Sequence, residues 1–445
     1  MILGALHRSL VATGFFAALL GASAQAIEVQ RVVSPGGAEA WLVEDHTNPI
    51  VAARFAFRGG AALDPRGKEG LAEIVSSLLD EGAGEFDAQA FQRRLEDMAV
   101  TLHFDAGYET LGGHLMTLSV NVGAAFNLLR LALTQPRFDD EPVALIRSQI
   151  LTMIRSSSEN PGAIASRTLR HALFPDHPYG RPVEGTEDSV KAITTADLKV
   201  FVAERLGRDN LVIGVVGDMT PDQLATLLDR VFGDLPGQAA PWRLPEVTPI
   251  APGRTIVVKK AVPQSVILFA QAGIKRADKD FYPAYVMNYI LGGGGFTSRL
   301  YNEVREKRGL AYSVYTALYP MAAAALLQGG AGTANARVSE TLNVVRAEWR
   351  RLATDGVDKA ELDDTKTYLT GSFPLRFSSS GRIAAILVAM QLDTLGIDYL
   401  KHRNSYVEAV TLEAVNRVAR QLLDSDGLTT VIVGEPEGVS SSQQP

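Results

Sequence analysis

The chain has 445 residues, 46% of them hydrophobic and 21% charged, with 43 Lys+Arg against 50 Asp+Glu and a formal charge of -7. That apolar fraction excludes a disordered chain, and the acidic balance excludes the basic footprint of a nucleic-acid binder. The absence of cysteine removes disulfides, thiolate zinc sites, iron–sulfur ligation and thiol nucleophiles together.

Residues 1–26 read as a secretory signal peptide. His7 and Arg8 precede an uncharged stretch carrying Leu10, Val11, Phe15, Phe16, Leu19 and Leu20, which closes on Ala24-Gln25-Ala26. The stretch is too short and too diluted by Thr13, Gly14, Gly21 and Ser23 to span a bilayer. An exported chain, periplasmic in a diderm bacterium and without stable membrane insertion after cleavage, is expected.

Downstream, Ala40–Val43, Val51–Arg58, Thr101–Ala106 and Thr110–Val122 read as strands, and Gly70–Leu79, Ala88–Met98, Ala124–Thr134 and Glu141–Ser156 as helices. A Thr-capped helix from Ala192 then leads to an apolar strand ending at Gly217-Asp218. This pair recurs 217 residues later, from Ala409 to Gly434-Glu435, and Val51–Gly59 recurs 214 residues later as Ser265–Gly273. Two matches in the same order mark an internal duplication. Between the copies lie prolines 236, 241, 245, 249 and 252, a stiffened connector. The expected organisation is two homologous domains, 27–245 and 253–436, followed by a frayed polar tail, 437–445. Strand runs segregated from helices imply an α+β class, each domain a mainly antiparallel sheet with helices packed on one face.

Three segments then carry a resemblance. They are Gly70-Leu71-Ala72 opening a helix, His177-Pro178-Tyr179-Gly180-Arg181-Pro182-Val183-Glu184-Gly185-Thr186, and Leu291-Gly292-Gly293-Gly294-Gly295-Phe296-Thr297-Ser298-Arg299-Leu300 followed by Arg305 and Tyr312. In order, spacing and duplication the chain resembles the M16 zinc peptidases, the pitrilysin and processing-peptidase group of the insulinase superfamily. The resemblance implies a LuxS/metallohydrolase-like fold in both halves.

That family cuts peptides with H-x-x-E-H on the helix after Gly-Leu-Ala, two imidazoles holding zinc and the Glu acting as base. Here Glu73 stands at the first His position, Ser76 at the base and Ser77 at the second His. Neutral serines are poor zinc ligands and no base near neutral pH. The stretch Val143–Ser158, where a third ligand would be sought, holds Arg147 and Arg155 and no acidic residue. His46, His103, His114, His171, His177 and His402 form no i,i+4 pair. No metal site and no bound cofactor are therefore expected in this chain.

The second half keeps Arg305 and Tyr312 on a helix expected to run from a Thr297/Ser298 cap to Gly309 and into a strand bearing Val314 and Thr316. The resemblance implies that this pair reaches a partner's zinc site, holds the substrate backbone and stabilises the oxyanion. It also makes Gly292, Gly293, Gly294, Gly295 and Phe296 a substrate-proximal turn. No phosphate-loop motif or G-x-S-x-G elbow offers a rival chemistry. The implied protein is the non-catalytic subunit of a heterodimeric zinc protease acting on unfolded peptides, with zinc in an H-x-x-E-H homologue. The alternative is a scaffold of the same fold without a proteolytic role.

Overall fold

The computed structural model describes residues 27–442, so the expected signal peptide lies outside the described residues. The first sheet contains β1 (Gln30–Val33), β2 (Glu39–Glu44), β3 (Ile50–Arg58), β4 (Thr101–Ala106), β5 (Thr110–Leu118) and β6 (Leu211–Gly217), in the order β1-β2-β6-β3-β5-β4. The second contains β7 (Thr255–Lys259), β8 (Gln264–Ala272), β9 (Ala311–Pro320), β10 (Ala325–Ala334) and β11 (Thr429–Gly434), in the order β7-β11-β8-β10-β9. Apart from β1 the two orders are the same. In each sheet one parallel pair, β2 with β6 and β7 with β11, sits among antiparallel neighbours. The register repeats too. Ala52 pairs with Val216 and Val266 with Val433, which are the residues the two sequence offsets bring together.

Alternation along the strands separates two apolar faces. Ala40, Leu42, Ile213 and Val215 join the first core with Ile74, Phe91, Leu129, Ile146 and Leu228 from helices of the same half. Trp41, Val43 and Val216 face the other way, onto Ala384, Leu387 and Met390 of helix Ser380–Leu392, which comes from the second half. The second sheet mirrors this. Ile267, Phe269 and Ile432 join their own helices around Trp349, whereas Leu268, Ala270, Val431 and Val433 pack on Ala165, Leu169 and Leu173 of helix Pro161–Leu173, from the first half. Each half thus lends one helix to the far face of the other half's sheet. Arginines cap both borrowed helices: Arg58 donates to the carbonyls of Gln391 and Leu392 at 2.8 and 3.0 Å, and Arg254 to that of Ala172 at 2.9 Å. The α+β expectation, with each half's own helices on one face of its sheet, is met, and the helix exchange is added to it.

Several boundaries differ from expectation. The strand from Thr110 ends at Leu118, where Ser119–Asn121 tighten into a 3₁₀ turn. The helix after Gly70 ends at Ser76 rather than Leu79. Residues 236–254 cross between the sheets without helix or strand, fastened by Val247 N–H to the Ala323 carbonyl and Ile250 N–H to that of Leu173, each at 2.9 Å. The tail is not frayed up to Ser442. Ser441 and Ser442 hydroxyls accept from Val257 and Thr255 N–H at 2.9 and 2.6 Å, which covers the open edge of β7.

Candidate functional site

The helix Leu71–Ser76 starts from Gly70 in the left-handed region (φ 96°), where a Cβ would lie 2.7 Å from the Glu184 carbonyl oxygen. Asp64, fully buried, accepts N–H bonds from Gly70 and Ala72 at 3.0 and 3.2 Å and so anchors this turn. Burial pushes its carboxyl up to about 7, against the pull of those N–H groups and of Arg181. Arg181 in turn donates to the Asp64 and Ala62 carbonyls at 3.0 and 2.8 Å. The His177–Arg181 segment is thus a structural clasp. His177 Nδ1 accepts from Tyr179 N–H at 3.2 Å, its Nε2 faces the Pro245 carbonyl at 3.1 Å, and Tyr179 Oη reaches Glu109 and accepts from Ala323 N–H at 3.0 Å.

On this anchored helix the residues do not suit zinc. Ser76 is 3% exposed, and its hydroxyl donates to the Glu73 carbonyl at 2.9 Å. The Glu73 carboxyl is raised above its ordinary value, first by burial and then by the charges of Glu184 and Asp105. Those two carboxylates are already paired, with Arg167 at 3.3 Å and Arg54 at 2.7 Å. Arg147 and Arg155 turn to the Ile193 carbonyl and to Glu187. Among the described residues no group of three His, Cys, Asp or Glu is placed to hold a metal ion. Strand pairing does bring His103 opposite His114, rings 5.7 Å apart, but Arg54 sits 3.3 Å from His114 Nδ1. Burial, Arg54 and His103 all lower the His114 pKa.

The second half assembles Arg305 and Tyr312 closely. Tyr301–Glu306 is wound as a π-helix, and Ser298, rather than Thr297, supplies the cap, its Oγ 3.4 Å from Tyr301 N. Gly309 takes the expected left-handed turn (φ 58°). β9 then pairs Ser313 with Gly332 and Ala311 with Thr333, which leaves Tyr312 as the extra residue of a bulge. A bulge re-aims its side chain. Tyr312 accordingly stands 79% exposed although its strand neighbours Val314 and Thr316 are buried. Its carbonyl, outside the ladder, accepts from Arg305 Nη1 at 3.0 Å. The guanidinium lies between the Tyr301 and Tyr312 rings, 4.9 and 4.5 Å from their centroids. Neighbouring cations do not compete for this place, because Lys307 and Arg308 both pair with the buried Glu303 at 2.6 Å. Phe296 continues the row, 77% exposed and edge-on to Tyr301 at 4.9 Å.

The glycine turn supports this row. Tyr289–Gly293 is a second π-helical turn, closed by Gly294 N–H to the Tyr289 carbonyl at 2.8 Å. A Cβ on Gly292 would lie 2.6 Å from Thr316 Oγ1 and 2.8 Å from Thr316 N, so only glycine lets the turn touch β9. Arg305, Tyr312, Phe296 and the glycines are therefore gathered on the second half. Glu73, Ser76 and Ser77 belong to the first half, Ser76 buried and the other two half-buried, and share no hydrogen bond or ion pair with them. Tyr301, which holds Arg305 in place, was not singled out from the sequence. Its spacing four residues before Arg305 carried the signal.

An arginine held between two tyrosines beside a glycine turn, on a duplicated α+β scaffold, is found here in a known setting. The chain belongs to the M16 family of peptidases. Residues 40–187 match the insulinase (peptidase family M16) model, and residues 192–369 match the peptidase M16 inactive domain. A crystal structure of a peptidase M16 inactive domain from Pseudomonas fluorescens is 30% identical, with a TM-score of 0.86 over 94% of this chain and 100% of that one. A non-peptidase homolog, YmxG, from Helicobacter pylori is 28% identical, covering 88% of this chain and 90% of its own length. A protein described as an uncharacterized zinc protease from Mycobacterium leprae is also 28% identical, over 90% and 91%.

Proposed function

We propose that this chain is the non-catalytic, peptide-holding subunit of a heteromeric M16 zinc protease. Arg305 and Tyr312 would complete the active site of an H-x-x-E-H homologue that acts on unfolded peptides. The observation that carries the reading is the contrast between the two sites. The motif positions 73, 76 and 77 offer no ligand set, while Tyr312 is displayed by a bulge with Arg305 fixed against it.

In this reading the partner's metal supplies Lewis-acid activation, and this chain supplies charge-stabilising donors. Arg305 is permanently charged and already oriented by two rings, so little reorganisation accompanies donation to a developing oxyanion. The Tyr312 hydroxyl adds a neutral donor, and the glycine turn admits a substrate backbone close by. The names of the relatives accord with this: one is a non-peptidase homolog, others are zinc proteases. Export to the periplasm, inferred from residues 1–26, would place the pair outside the cytoplasm.

Metal analysis and peptide hydrolysis by the purified chain test the proposal. It should carry no stoichiometric zinc and leave unfolded peptides intact. Stoichiometric zinc together with cleavage by the isolated chain would overturn it.

A further inference from the structure

Beside the glycine turn the second half contains a cavity of about 700 Å³. Its charge is one-sided. Arg276, Arg376, Arg382 and Arg403 line it, against the single carboxylate of Asp393. Only Arg276 approaches that carboxylate, at 3.9 Å, and among the described residues Arg376, Arg382 and Arg403 have no carboxylate partner within 4.0 Å. Arg403 is 4% exposed. It is held by the Leu369 carbonyl at 2.6 Å and Asn404 Oδ1 at 3.0 Å, with its guanidinium over the Phe373 ring at 4.4 Å. A guanidinium kept in such surroundings without a counter-ion favours any anion that enters.

The cavity also presents apolar walls, Tyr289 and Tyr368 with rings 5.4 Å apart and the exposed Leu375 at its mouth. A guest that suits the cavity combines an anionic group with an apolar side chain, as a peptide bearing a carboxylate does.

We propose that this cavity is a subsite for a peptide carboxylate, with the arginines taking the charge. Gly293 and Thr316 line it as well, so a peptide lying along the glycine turn delivers its end or an acidic side chain there. The inference rests on the peptide-holding reading above and names the feature of the peptide that is recognised. A C-terminal carboxylate and an Asp or Glu side chain share this chemistry.

Fluorescence anisotropy with the purified chain separates these possibilities. The probes are labelled ten-residue peptides: one with a free C-terminus and no acidic side chain, its C-terminal amide, and the amide with one Glu. Carboxylate-bearing peptides should bind about tenfold or more tightly than the carboxylate-free amide, as expected for a charge-assisted contact. Which of the two carboxylates is preferred identifies the source. The double variant Arg376→Ala/Arg382→Ala alters only exposed side chains and should cut the difference to below about threefold, with Arg276 and Arg403 still in place. Equal binding of all three peptides would overturn the subsite but leave the peptide-holding reading intact. So would a carboxylate preference that is undiminished in the double variant. Failure to bind any peptide would overturn both.

Discussion

The two halves of this molecule run through the same sequence of elements and use their corresponding ends differently. In the first, helix Ala88–Asp97 is a regular α-helix capped by Asp87, and β4 pairs with β5 without interruption. In the second, the corresponding stretch is π-wound over Tyr301–Glu306 and the corresponding strand carries a bulge at Tyr312. Both departures weaken local hydrogen bonding and are tolerated where a side chain must be re-aimed. The first half shows the opposite tendency at its motif helix. Ser76 satisfies itself on the helix backbone, and Asp64 and Arg181 lock the turn before it. The first half keeps its elements regular, and the second departs from regularity where Arg305 and Tyr312 are brought together.

The sharpest way to break this contrast is to remove a displayed donor. In a complex with a zinc-bearing homologue, Arg305→Ala should lower kcat by about 10²-fold or more, the loss typical of a missing oxyanion donor. The same change should leave thermal stability nearly untouched, because the guanidinium is itself half-buried and one of its two rings, Tyr312, is exposed. A rate change below about threefold would reduce the second half to scaffold as well.

Next in size is the helix exchange. Leu387→Ala and Leu169→Ala each empty a buried position on a borrowed helix and should each cost about 2–5 kcal/mol. Because each helix ties one sheet to the other, unfolding followed through Trp41 and, in a separate single-tryptophan version, through Trp349 should shift by the same amount. Independent shifts would show two separable domains instead.

Gly292→Ala probes the contact between the glycine turn and β9. Its Cβ would meet Thr316 backbone, so we expect about 1–3 kcal/mol of destabilisation. Gly332→Ala, whose Cβ meets nothing within 4 Å, is the control on the neighbouring strand. A pH-dependent effect is expected in the first half. The Asp64 carboxyl titrates near 7 in the folded chain against an ordinary 3.8, so the native state binds the extra proton between those values. Stability should therefore fall as pH rises through this window. Relative to Asp64→Asn the wild type should lose at least about 1 kcal/mol between pH 4 and 7, measured by denaturant unfolding. A difference independent of pH would place that titration outside the buried turn.

Much of this architecture was readable because it is encoded locally. The offsets of 214 and 217 residues reappear as the pairing of Ala52 with Val216 and Val266 with Val433, since apolar alternation sets register. The loss of the zinc motif was visible residue by residue at 73, 76 and 77. The helix exchange was not, because periodicity shows that Ala384, Leu387 and Met390 share a face but not which sheet they cover. The bulge at Tyr312 was hidden for a similar reason. It depends on the mismatch between β9 and β10, and the strand pattern alone placed Tyr312 beside Val314 and Thr316. The arginine-lined cavity gathers residues from 276 to 403, too dispersed to form a motif.

In the proposed complex the second half of this chain completes a zinc site that its own first half does not hold. Titrating this chain into a fixed amount of an H-x-x-E-H homologue, with cleavage of a quenched unfolded peptide as readout, tests it most directly. A saturable rise in rate that reaches its plateau at one equivalent, and is absent with the double variant Arg305→Ala/Tyr312→Phe at equal complex formation, is the predicted result. A rise of the same size with that variant, or no rise with the wild type, would contradict it.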